Sequence, residues 1–589
     1  MTVEGGVPSE GIQVNFCKSP VCLNYGVPAS PEKQPTGIRA AERGRDTYTS
    51  CGGKKETLNT FLRCNHCRDD FPIKSNIAIY EELTRLSRYL DKKLIYCPNN
   101  SCDNHKISIH DAKNAYQSYG KTKTGSQRHR CKLCKTTFTV SIPSARQRLP
   151  HKNIQVFKLL LNKMPFNRIC EAAGISMPTL YDKINFLHRQ CQAFAASREG
   201  NLADTVKAKK IYIAVDRQDY MVNWNRRKDK RNIVLHAIGS ADNATGYVFG
   251  LNLNYDPSLD CLAIETDALA CGDYAKRYAY RKYARIWLYG DYHERSGFGR
   301  LFNANGRDLV RNIETAYQEA AERDNVEASD VVDDTIRLPE RGMQIHSEYT
   351  MYGHFFFLRK ILAGANKIRF FLDQESGIRA ACLTAFVEEI KQGKCDAFYV
   401  RINKELTVDE RKKALAGVKK RWTEHKALNP GLTDSALKLM LIKERMAQVR
   451  EFGKWHDRWV YHPFPSMSEP EKALCYLTDT GKYDDDHLAW LYNKASLHTI
   501  DRFFMQVRRR ISLLERPIAS ASSTGRRWHG YNAYNPAVIV KLLDIFRVFY
   551  NYIEAGMDKN TPAMRIGLAR GKIDLEDISN VQKVGQKVI

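Results

Sequence analysis

The chain has 589 residues with 43% hydrophobic residues, and its 92 Lys and Arg against 66 Asp and Glu give a formal net charge of +26. A chain this long exceeds the roughly 250–300 residues at which a single core stops growing, so several domains are expected, and the charge indicates a polyanionic partner, nucleic acid before membrane. The N-terminus lacks a signal-peptide pattern and no apolar run approaches about 18 residues, so we expect a cytoplasmic protein without a membrane span.

Nine of the 16 cysteines lie before residue 135, and eight of these form a repeat. Each half of the repeat reads C-x4-C, a spacer, and R-C-x2-C-x3-F. The two quartets are Cys17, Cys22, Cys64 and Cys67, and Cys97, Cys102, Cys131 and Cys134. Two tight turns with two thiolates each complete a tetrahedral, closed site, so the spacing predicts two structural zinc ions. Cys51 and His66 are the alternative ligands if one cysteine is misassigned.

The spacer of the second ribbon, residues 119–132, is basic and hairpin-like. It offers Arg128, Arg130 and Lys132 to DNA phosphates, although a loop kept soluble by its charges would look the same. A helix-turn-helix pattern follows in residues 151–191. Gly174 suits the turn and Ser176 suits the N-cap of the second helix.

The second helix of this pattern has an apolar side and a side that we expect to be exposed. The exposed side is predicted to include Thr179, Tyr181 and Lys183, which could then read a major groove. A plain helical hairpin is the alternative.

Short apolar runs predict the strands of a third region. Residues 209–216 form the first strand, 231–253 two more, 368–373 the fourth and 395–402 the fifth; helices are expected over 352–367, 375–391 and 496–517. Three antiparallel strands followed by alternating helices and strands give a mixed α/β sheet. Asp216 ends the first strand and Asp373 the fourth, so adjacent strands would bring the two carboxylates side by side.

A third carboxylate is available from the last of these helices, at Asp501. Crowded, buried carboxylates repel one another, and divalent cations offset that cost. Mg²⁺ prefers such oxygen ligands, and two ions roughly 4 Å apart support phosphoryl transfer.

The order of zinc ribbon, helix-turn-helix and sheet resembles that of bacterial insertion-sequence transposases with an RNase H-like DDE core. "GSQRHRCKLCKTTF", "IYIAVD", "FFLDQESG" and pieces of 531–571 carry the resemblance, which covers about residues 90–580. It implies cleavage and transfer of double-stranded DNA between transposon ends and a target, with Mg²⁺ or Mn²⁺. It also implies catalysis by Asp216, Asp373 and Asp501, a homo-oligomer on DNA and a location at the bacterial nucleoid.

The chain departs from that family in its third acid, which is usually Glu with a basic residue seven positions later. Asp501 is followed seven positions later by Arg508, and Glu515 is the alternative acid further along the predicted helix. Asp291 also ends an apolar run and is the rival of Asp373. The long interval between Asp216 and Asp373 predicts inserted sequence.

Four more arginines, Arg226, Arg227, Arg508 and Arg509, are candidate contacts to the DNA backbone. The predicted domains are a first zinc ribbon region (1–80), a second zinc ribbon (81–150), the helix-turn-helix (151–200), a catalytic core (205–520) with insertions near 256–345 and 405–490, and a tail (521–589). A transposase-derived DNA-binding regulator and a structure-selective nuclease on the same core remain alternative functions.

Overall fold

The structure is a computed structural model. It describes residues 9–29, 48–52, 59–91, 95–109, 114–123, 125–144, 147–222, 233–294, 308–323, 325–330, 339, 341–515, 518–519, 527–528 and 535–579. The chain divides into two units: Met1–Leu86, Val206–Met505 and Asn532–Val540 form the first, and Ser87–Thr205, Gln506–Tyr531 and Lys541–Ile589 the second. No helix among the described residues combines the length and the apolar character needed to cross a membrane.

The first cysteine ribbon belongs to the same unit as the large sheet. It contains a three-stranded antiparallel sheet followed by a helix: β1 (Tyr48–Gly52), β2 (Thr60–Cys64), β3 (Asp70–Pro72) and α1 (Asn76–Ser87). Tyr25 donates its hydroxyl to the carbonyl of Leu383 at 2.6 Å, and Lys74 pairs with Glu348 at 3.3 Å. The ribbon is therefore packed into the core rather than extended from it as a free finger.

The second unit begins with the second ribbon and the helix-turn-helix segment. Its elements are β4 (Tyr116–Lys121), β5 (Gln127–Cys131), β6 (Thr137–Val140), α2 (Asn153–Leu160), α3 (Phe166–Ala173), α4 (Met177–Glu199) and α5 (Leu202–Thr205). Gly174 has the left-handed conformation predicted for the turn (φ 61°), and Ser176 caps α4 by accepting the N–H of Thr179. Two helices joined by a turn are therefore present where they were predicted.

The first unit is built on a mixed sheet of eight strands. The strands from residue 206 onward are β7 (Lys210–Val222), β8 (Ile233–Asp242), β9 (Val248–Leu253), β10 (Tyr255–Asp256), β11 (Met343–Gln344), β12 (Lys367–Asp373), β13 (Cys395–Ile402), β14 (Arg450–Phe452), β15 (Asp457–Tyr461) and β16 (Lys472–Tyr476). The sheet order is β14-β15-β16-β13-β12-β7-β8-β9, and β10 pairs separately with β11. β12 is parallel to both β7 and β13, and every other pair in the large sheet is antiparallel.

The helices of this region are α6 (Cys261–Ala270), α7 (Tyr289–Glu294), α8 (Leu309–Glu322), α9 (Ser347–Ile361), α10 (Ser376–Ala385), α11 (Val387–Lys391), α12 (Val408–Leu428), α13 (Asp434–Met446), α14 (Asp485–Lys494) and α15 (His498–Arg510). The mixed α/β sheet and its alternation of helix and strand are therefore confirmed. The segment 405–490, which was predicted to be an insertion, contains α12 and α13 and also supplies β14, β15 and β16, which extend the sheet beyond β13.

The long helix predicted over 496–517 ends earlier, at Arg510. Ile511 has the extended angles φ −112° and ψ 112°, and the carbonyl of Arg510 accepts the N–H of Lys163 at 2.7 Å. An outside donor thus satisfies a carbonyl at the helix end, where no partner in the helix is available.

Residues of the predicted tail contribute to the second unit. The C-terminal elements are β17 (Ile518–Ala519), β18 (Arg527–Trp528), α16 (Pro536–Tyr552), α17 (Pro562–Ile566) and α18 (Leu575–Ser579). Arg547 pairs with Glu199 of α4 at 2.6 Å, and the rings of Tyr552 and Phe194 meet edge to face at 4.9 Å. This part of the tail therefore completes the core beneath the helix-turn-helix.

Candidate functional site

Asp216 and Asp373 lie on neighbouring strands, as predicted. β7 and β12 run parallel with Val215 opposite Leu372, so the next residue of each strand is an aspartate at the same level of the sheet. Side chains alternate between the two faces of a strand, and matched positions share a face. The two carboxylates therefore stand side by side, with Asp216 only 6% exposed.

Asp501 and a lysine complete the cluster. Asp501 lies in the first turn of α15, and Lys404 follows the C-terminal end of β13. The ammonium of Lys404 is 2.9 Å from Oδ1 of Asp501 and 3.6 Å from Oδ2 of Asp216. β13 is parallel to β12 with Val400 opposite Asp373, which puts Lys404 at the edge of the sheet where the acids meet. Lys404 was not among the residues predicted from the sequence.

The electrostatics of the cluster are those of crowded acids. Burial raises the pKa of Asp373 to about 7, and the charge of Asp216 adds to the shift. Burial also raises the pKa of Asp501, against the opposing charge of Lys404. Although desolvation opposes it, the three carboxylates raise the pKa of Lys404. The single positive charge of Lys404 does not neutralise three carboxylates, so the cluster favours the binding of a further cation.

Asp373→Asn is expected to flatten the dependence of stability on pH in Mg²⁺-free buffer. The carboxyl has a pKa of about 7 in the folded chain and 3.8 as its ordinary value. The folded state therefore holds a proton between these values that the unfolded state has lost, so stability falls as pH rises from about 4 to 7. The loss is on the order of a few kcal/mol, from about 1.4 kcal/mol per pH unit. Denaturant titrations at pH 4.5 and 7.5 measure it.

Asp409→Asn is the control for that experiment, because the Asp409 side chain is 87% exposed. It is expected to keep the pH slope of the wild type between pH 4.5 and 7.5. An unchanged slope in Asp373→Asn would show that this carboxyl is not held in the protonated form.

The three acids are more widely spaced than the ligands of a single closed metal site. In the described part of the chain, three groups bring at least three such ligand atoms within 4.8 Å of one another: the two cysteine quartets and Asp330, His346 and Glu348. Instead, the ammonium of Lys404 lies between Asp501, at 2.9 Å, and Asp216, at 3.6 Å. A spread set of carboxylates suits a pair of ions rather than one closed site.

A glycine allows α15 to approach the sheet beside Asp216. Gly239 of β8 is opposite Asp216, and a Cβ on it would lie 2.9 Å from side-chain atoms of both Ile500 and Phe504. Real Cβ contacts are not this short, so a side chain here would push against the helix that carries Asp501.

The start of α15 is held by hydrogen bonds from the sheet side. Glu469 accepts the N–H of Leu497 at 2.9 Å and the hydroxyl of Ser496 at 2.6 Å. The amide of Asn243 donates to the carbonyl of Ser496 at 2.8 Å. Glu469 therefore caps the segment that leads into the helix and fixes the height of Asp501 above the sheet.

Gly239→Ala is expected to destabilise the first unit by about 1–3 kcal/mol, because the added methyl overpacks a filled contact. Gly417→Ala is the matched control: Gly417 lies in α12, where an added Cβ meets nothing within 4 Å, and alanine favours a helix. Urea denaturation of both variants compares them directly. Equal effects of the two substitutions would mean that Gly239 is not needed for the approach of α15.

The two rival acids have other partners. Asp291 is fully buried in α7, 2.6 Å from the guanidinium of Arg281, and accepts the N–H of Leu288. Glu515 lies beyond the end of α15, in the second unit, and pairs with Lys163 at 2.6 Å. These placements favour Asp373 over Asp291 and Asp501 over Glu515 as members of one cluster.

The two cysteine quartets are each drawn together and can bind zinc. In the first, Cys17 and Cys67 have sulfurs 3.5 Å apart and Cys22 and Cys64 3.7 Å apart. In the second, the corresponding distances are 3.3 Å and 3.8 Å. Zinc–sulfur bonds of about 2.3 Å place tetrahedral sulfurs about 3.8 Å apart, so both quartets fit the ion. Cys51 lies outside the first quartet.

The groups around the two quartets repeat as the ligands do. Asn24 donates its amide to the sulfur of Cys64 at 3.2 Å, and Asn104 donates to Cys131 at 3.3 Å. Such partners orient metal ligands and tune their basicity. Neither asparagine was predicted from the sequence, although each stands two residues after the second cysteine of its ribbon.

A tyrosine supports each ribbon in the same way. Tyr48 accepts the N–H of Cys17 at 2.8 Å, and Tyr116 accepts that of Cys97 at 2.9 Å. Each tyrosine ring also meets the phenylalanine of its ribbon edge to face. The cysteine repeat is thus a repeat of whole structural modules.

The predicted DNA contacts have mixed placements. Arg128 and Arg130 are half-buried and lie over the ring of Tyr119, at 5.3 Å and 5.5 Å from its centre. Lys132, Tyr181 and Arg509 are exposed, and Arg508 is half-buried. Arg226 and Arg227 lie outside the described residues.

The prediction that Thr179 and Lys183 are exposed on α4 is wrong. Lys183 is 1% exposed and Thr179 8%. The ammonium of Lys183 donates to the carbonyl of Leu149 at 2.7 Å and to the side chain of Asn153 at 2.8 Å. Lys183 therefore ties α4 to the segment before α2, and only the exposed side of α4, with Tyr181, is available to a groove.

Comparison with known proteins adds no relative: no protein-family model matches the chain, and a search of the curated proteins finds no significant match. Function is therefore inferred from the geometry of the chain itself.

Proposed function

We propose that the chain is a DDE-type DNA transposase that uses Asp216, Asp373 and Asp501 to cut and join DNA strands. The observation that carries the proposal is the convergence of three acids from β7, β12 and α15 around Lys404. Clustered acids repel one another and are costly to bury, and neutral or oppositely charged side chains would pack at this edge of the sheet with a lower free-energy cost. Three clustered acids therefore favour a role in cation binding. The order of three antiparallel strands followed by two parallel ones, which was predicted from the apolar runs, also supports the proposal.

The donor set fits hard divalent cations. All three side chains offer carboxylate oxygens, which Mg²⁺ and Mn²⁺ prefer. When bound, two such ions activate the attacking oxygen and stabilise the leaving one. Asp216 and Asp373 would hold them from the sheet and Asp501 from α15. The Lys404 side chain, 46% exposed, is then free to pair with a DNA phosphate.

Several features supply the affinity for DNA that the proposal needs. The net charge is +26. Tyr181 is exposed in the N-terminal part of α4. The second ribbon carries the exposed Lys132, and also Arg128 and Arg130, which both lie over the ring of Tyr119. In the first unit, α12 has no buried residue and carries seven Lys and Arg against three Asp and Glu. Phosphate contacts from such surfaces give binding that weakens with salt.

The reaction proposed is hydrolysis at the transposon ends followed by attack of the freed 3′-hydroxyl on target DNA. Two ends have to be paired for joining, so we propose that the chain acts as a homo-oligomer on double-stranded DNA, in the bacterial cytoplasm. The two zinc ribbons have a structural role in this proposal.

The decisive experiment follows the DNA products. Purified chain is incubated with a fragment that carries the DNA flanking its own gene, a supercoiled plasmid and excess Mg²⁺. Joined molecules that contain both DNAs are expected from the wild type, and none from Asp216→Asn. The variant is expected to shift the flanking fragment in a gel as the wild type does, because binding and chemistry use different residues.

The other outcomes assign the alternatives. Nicked or trimmed DNA without joining would identify a nuclease, and binding by the wild type without any cleavage would identify a regulator. Unchanged joining by Asp216→Asn would overturn the enzyme proposal.

A further inference from the structure

A second group of metal-ligand side chains, none of them among the acids and the cysteines described above, lies in the first unit. Asp330, His346 and Glu348 each offer one ligand atom, and these atoms all lie within 4.8 Å of one another. All three residues are buried, at 6%, 2% and 2% exposure. Asp330 belongs to the segment after α8, whereas His346 immediately precedes α9 and Glu348 lies in its first turn.

A fourth side chain points to a ligand at this cluster. Nε2 of His236, on β8, is buried, and the described residues give it no hydrogen-bond partner. It lies 3.9 Å from Oδ1 of Asp330. The other ring nitrogen, Nδ1, is 2.7 Å from Oδ1 of Asp219.

This arrangement of His236 is the one that metal-ligating histidines have. In metal sites a histidine commonly donates one ring N–H to a carboxylate, and this fixes the tautomer that leaves the other nitrogen for the ion. In this chain Asp219 is the carboxylate that contacts Nδ1 of His236. Nε2 is the ring nitrogen near Asp330.

The carboxylates of the cluster are also oriented by outer donors. Asp330 accepts the backbone N–H of Ser347 at 2.9 Å and the amide of Asn254 at 3.2 Å. Glu348 accepts from Asn325 at 3.1 Å. Glu348 also pairs with Lys74 at 3.3 Å. An ion would offset the negative charge that remains on these buried carboxylates.

We propose that Asp330, His346 and Glu348, together with His236, bind one first-row transition-metal ion. Two imidazole nitrogens and two carboxylate oxygens suit borderline ions such as Zn²⁺ or Co²⁺ rather than Mg²⁺. Because all four side chains are buried, the ion is structural. It links β8, the start of α9 and the segment at Asp330. The proposal does not depend on the transposase function.

Co²⁺ alone is the probe, because its spectra separate the kinds of ligand. Thiolate-bound Co²⁺ has intense near-ultraviolet charge-transfer bands, whereas Co²⁺ held by nitrogen and oxygen has only weak visible bands. The full chain is used with Asp373→Asn, which removes one of the clustered acids around Lys404. Metal-free protein is titrated and bound Co²⁺ is counted after desalting. We expect three equivalents: two with thiolate bands and one without.

Asp330→Asn in the same chain is expected to bind two equivalents and to keep both thiolate bands. His346→Gln should give the same result if the first variant does not fold. Asp242→Asn is the control: Asp242 is also a buried, hydrogen-bonded carboxylate, at the far end of β8 from His236, and should keep three equivalents. Two equivalents in the parent chain, or a third that persists in Asp330→Asn, would overturn the proposal.

Discussion

Asp501→Asn is expected to lower the rate of Mg²⁺-dependent strand joining roughly 10²–10³-fold or more, whereas Glu515→Gln is expected to leave it within about twofold. Asp501 shares the ammonium of Lys404 with Asp216, so its charge acts where the other acids act. Asn keeps the size of the side chain and removes that charge. Glu515 is paired with Lys163 and belongs to the other unit.

The comparison is made at one Mg²⁺ concentration and repeated with Mn²⁺, with the joined product counted per minute. Both variants should bind the flanking DNA with unchanged affinity, and Asp501→Asn should be no less stable than the wild type, because burial raises the pKa of Asp501 and so disfavours its charged form. Full activity in Asp501→Asn combined with a dead Glu515→Gln would transfer the role to Glu515.

The cluster of three acids was partly predictable because a strand and the acid at its end are contained in one short stretch of sequence. "IYIAVD" and "IRFFLD" are apolar runs that each end on Asp, so any arrangement in which the first and fourth strands are adjacent and parallel puts the two acids side by side. Asp216 and Asp373 were therefore expected to meet. The cysteine quartets were predictable for the same reason, since their spacing is local.

Lys404 and Gly239 could not be selected from the sequence. Lys404 stands in a loop after β13, and nothing in "RINKEL" separates it from a surface lysine. Gly239 lies within an apolar strand. A side chain is excluded there because Ile500 and Phe504, which are distant in sequence, pack against this position. Both depend on tertiary approach, which local pattern does not contain.

Lys183 was misplaced because a charge was taken as a sign of exposure. The charge is instead satisfied by the carbonyls of Arg148 and Leu149 and by Asn153. Leu149 has a left-handed backbone conformation, with φ of 53°. Leucine rarely adopts this conformation, so local sequence does not predict it. The turn that positions the carbonyls accepting from Lys183 could therefore not be predicted from the sequence.

Cys64→Ser is expected to unfold the first unit or to leave it only marginally stable. Structural zinc contributes about 10–16 kcal/mol to isolated zinc fingers, and a whole domain is stable by about 5–15 kcal/mol. The first ribbon is not isolated from the sheet: Tyr25 bonds to Leu383 at 2.6 Å, and Glu82 of α1 pairs with Arg285 at 3.1 Å. Loss of the zinc site therefore removes packing from the core that carries the acids.

Cys131→Ser is the matched control, because Cys131 is the equivalent ligand of the second ribbon and lies in the second unit. Hydrogen exchange followed by mass spectrometry separates the effects by region. In Cys64→Ser, amides of β7 and β12 are expected to lose protection, and Mg²⁺-dependent cleavage to disappear. In Cys131→Ser, those amides should stay protected while β4 and β5 exchange. Retained protection of β7 in Cys64→Ser would show that the first ribbon is an accessory to the core, not a part of it.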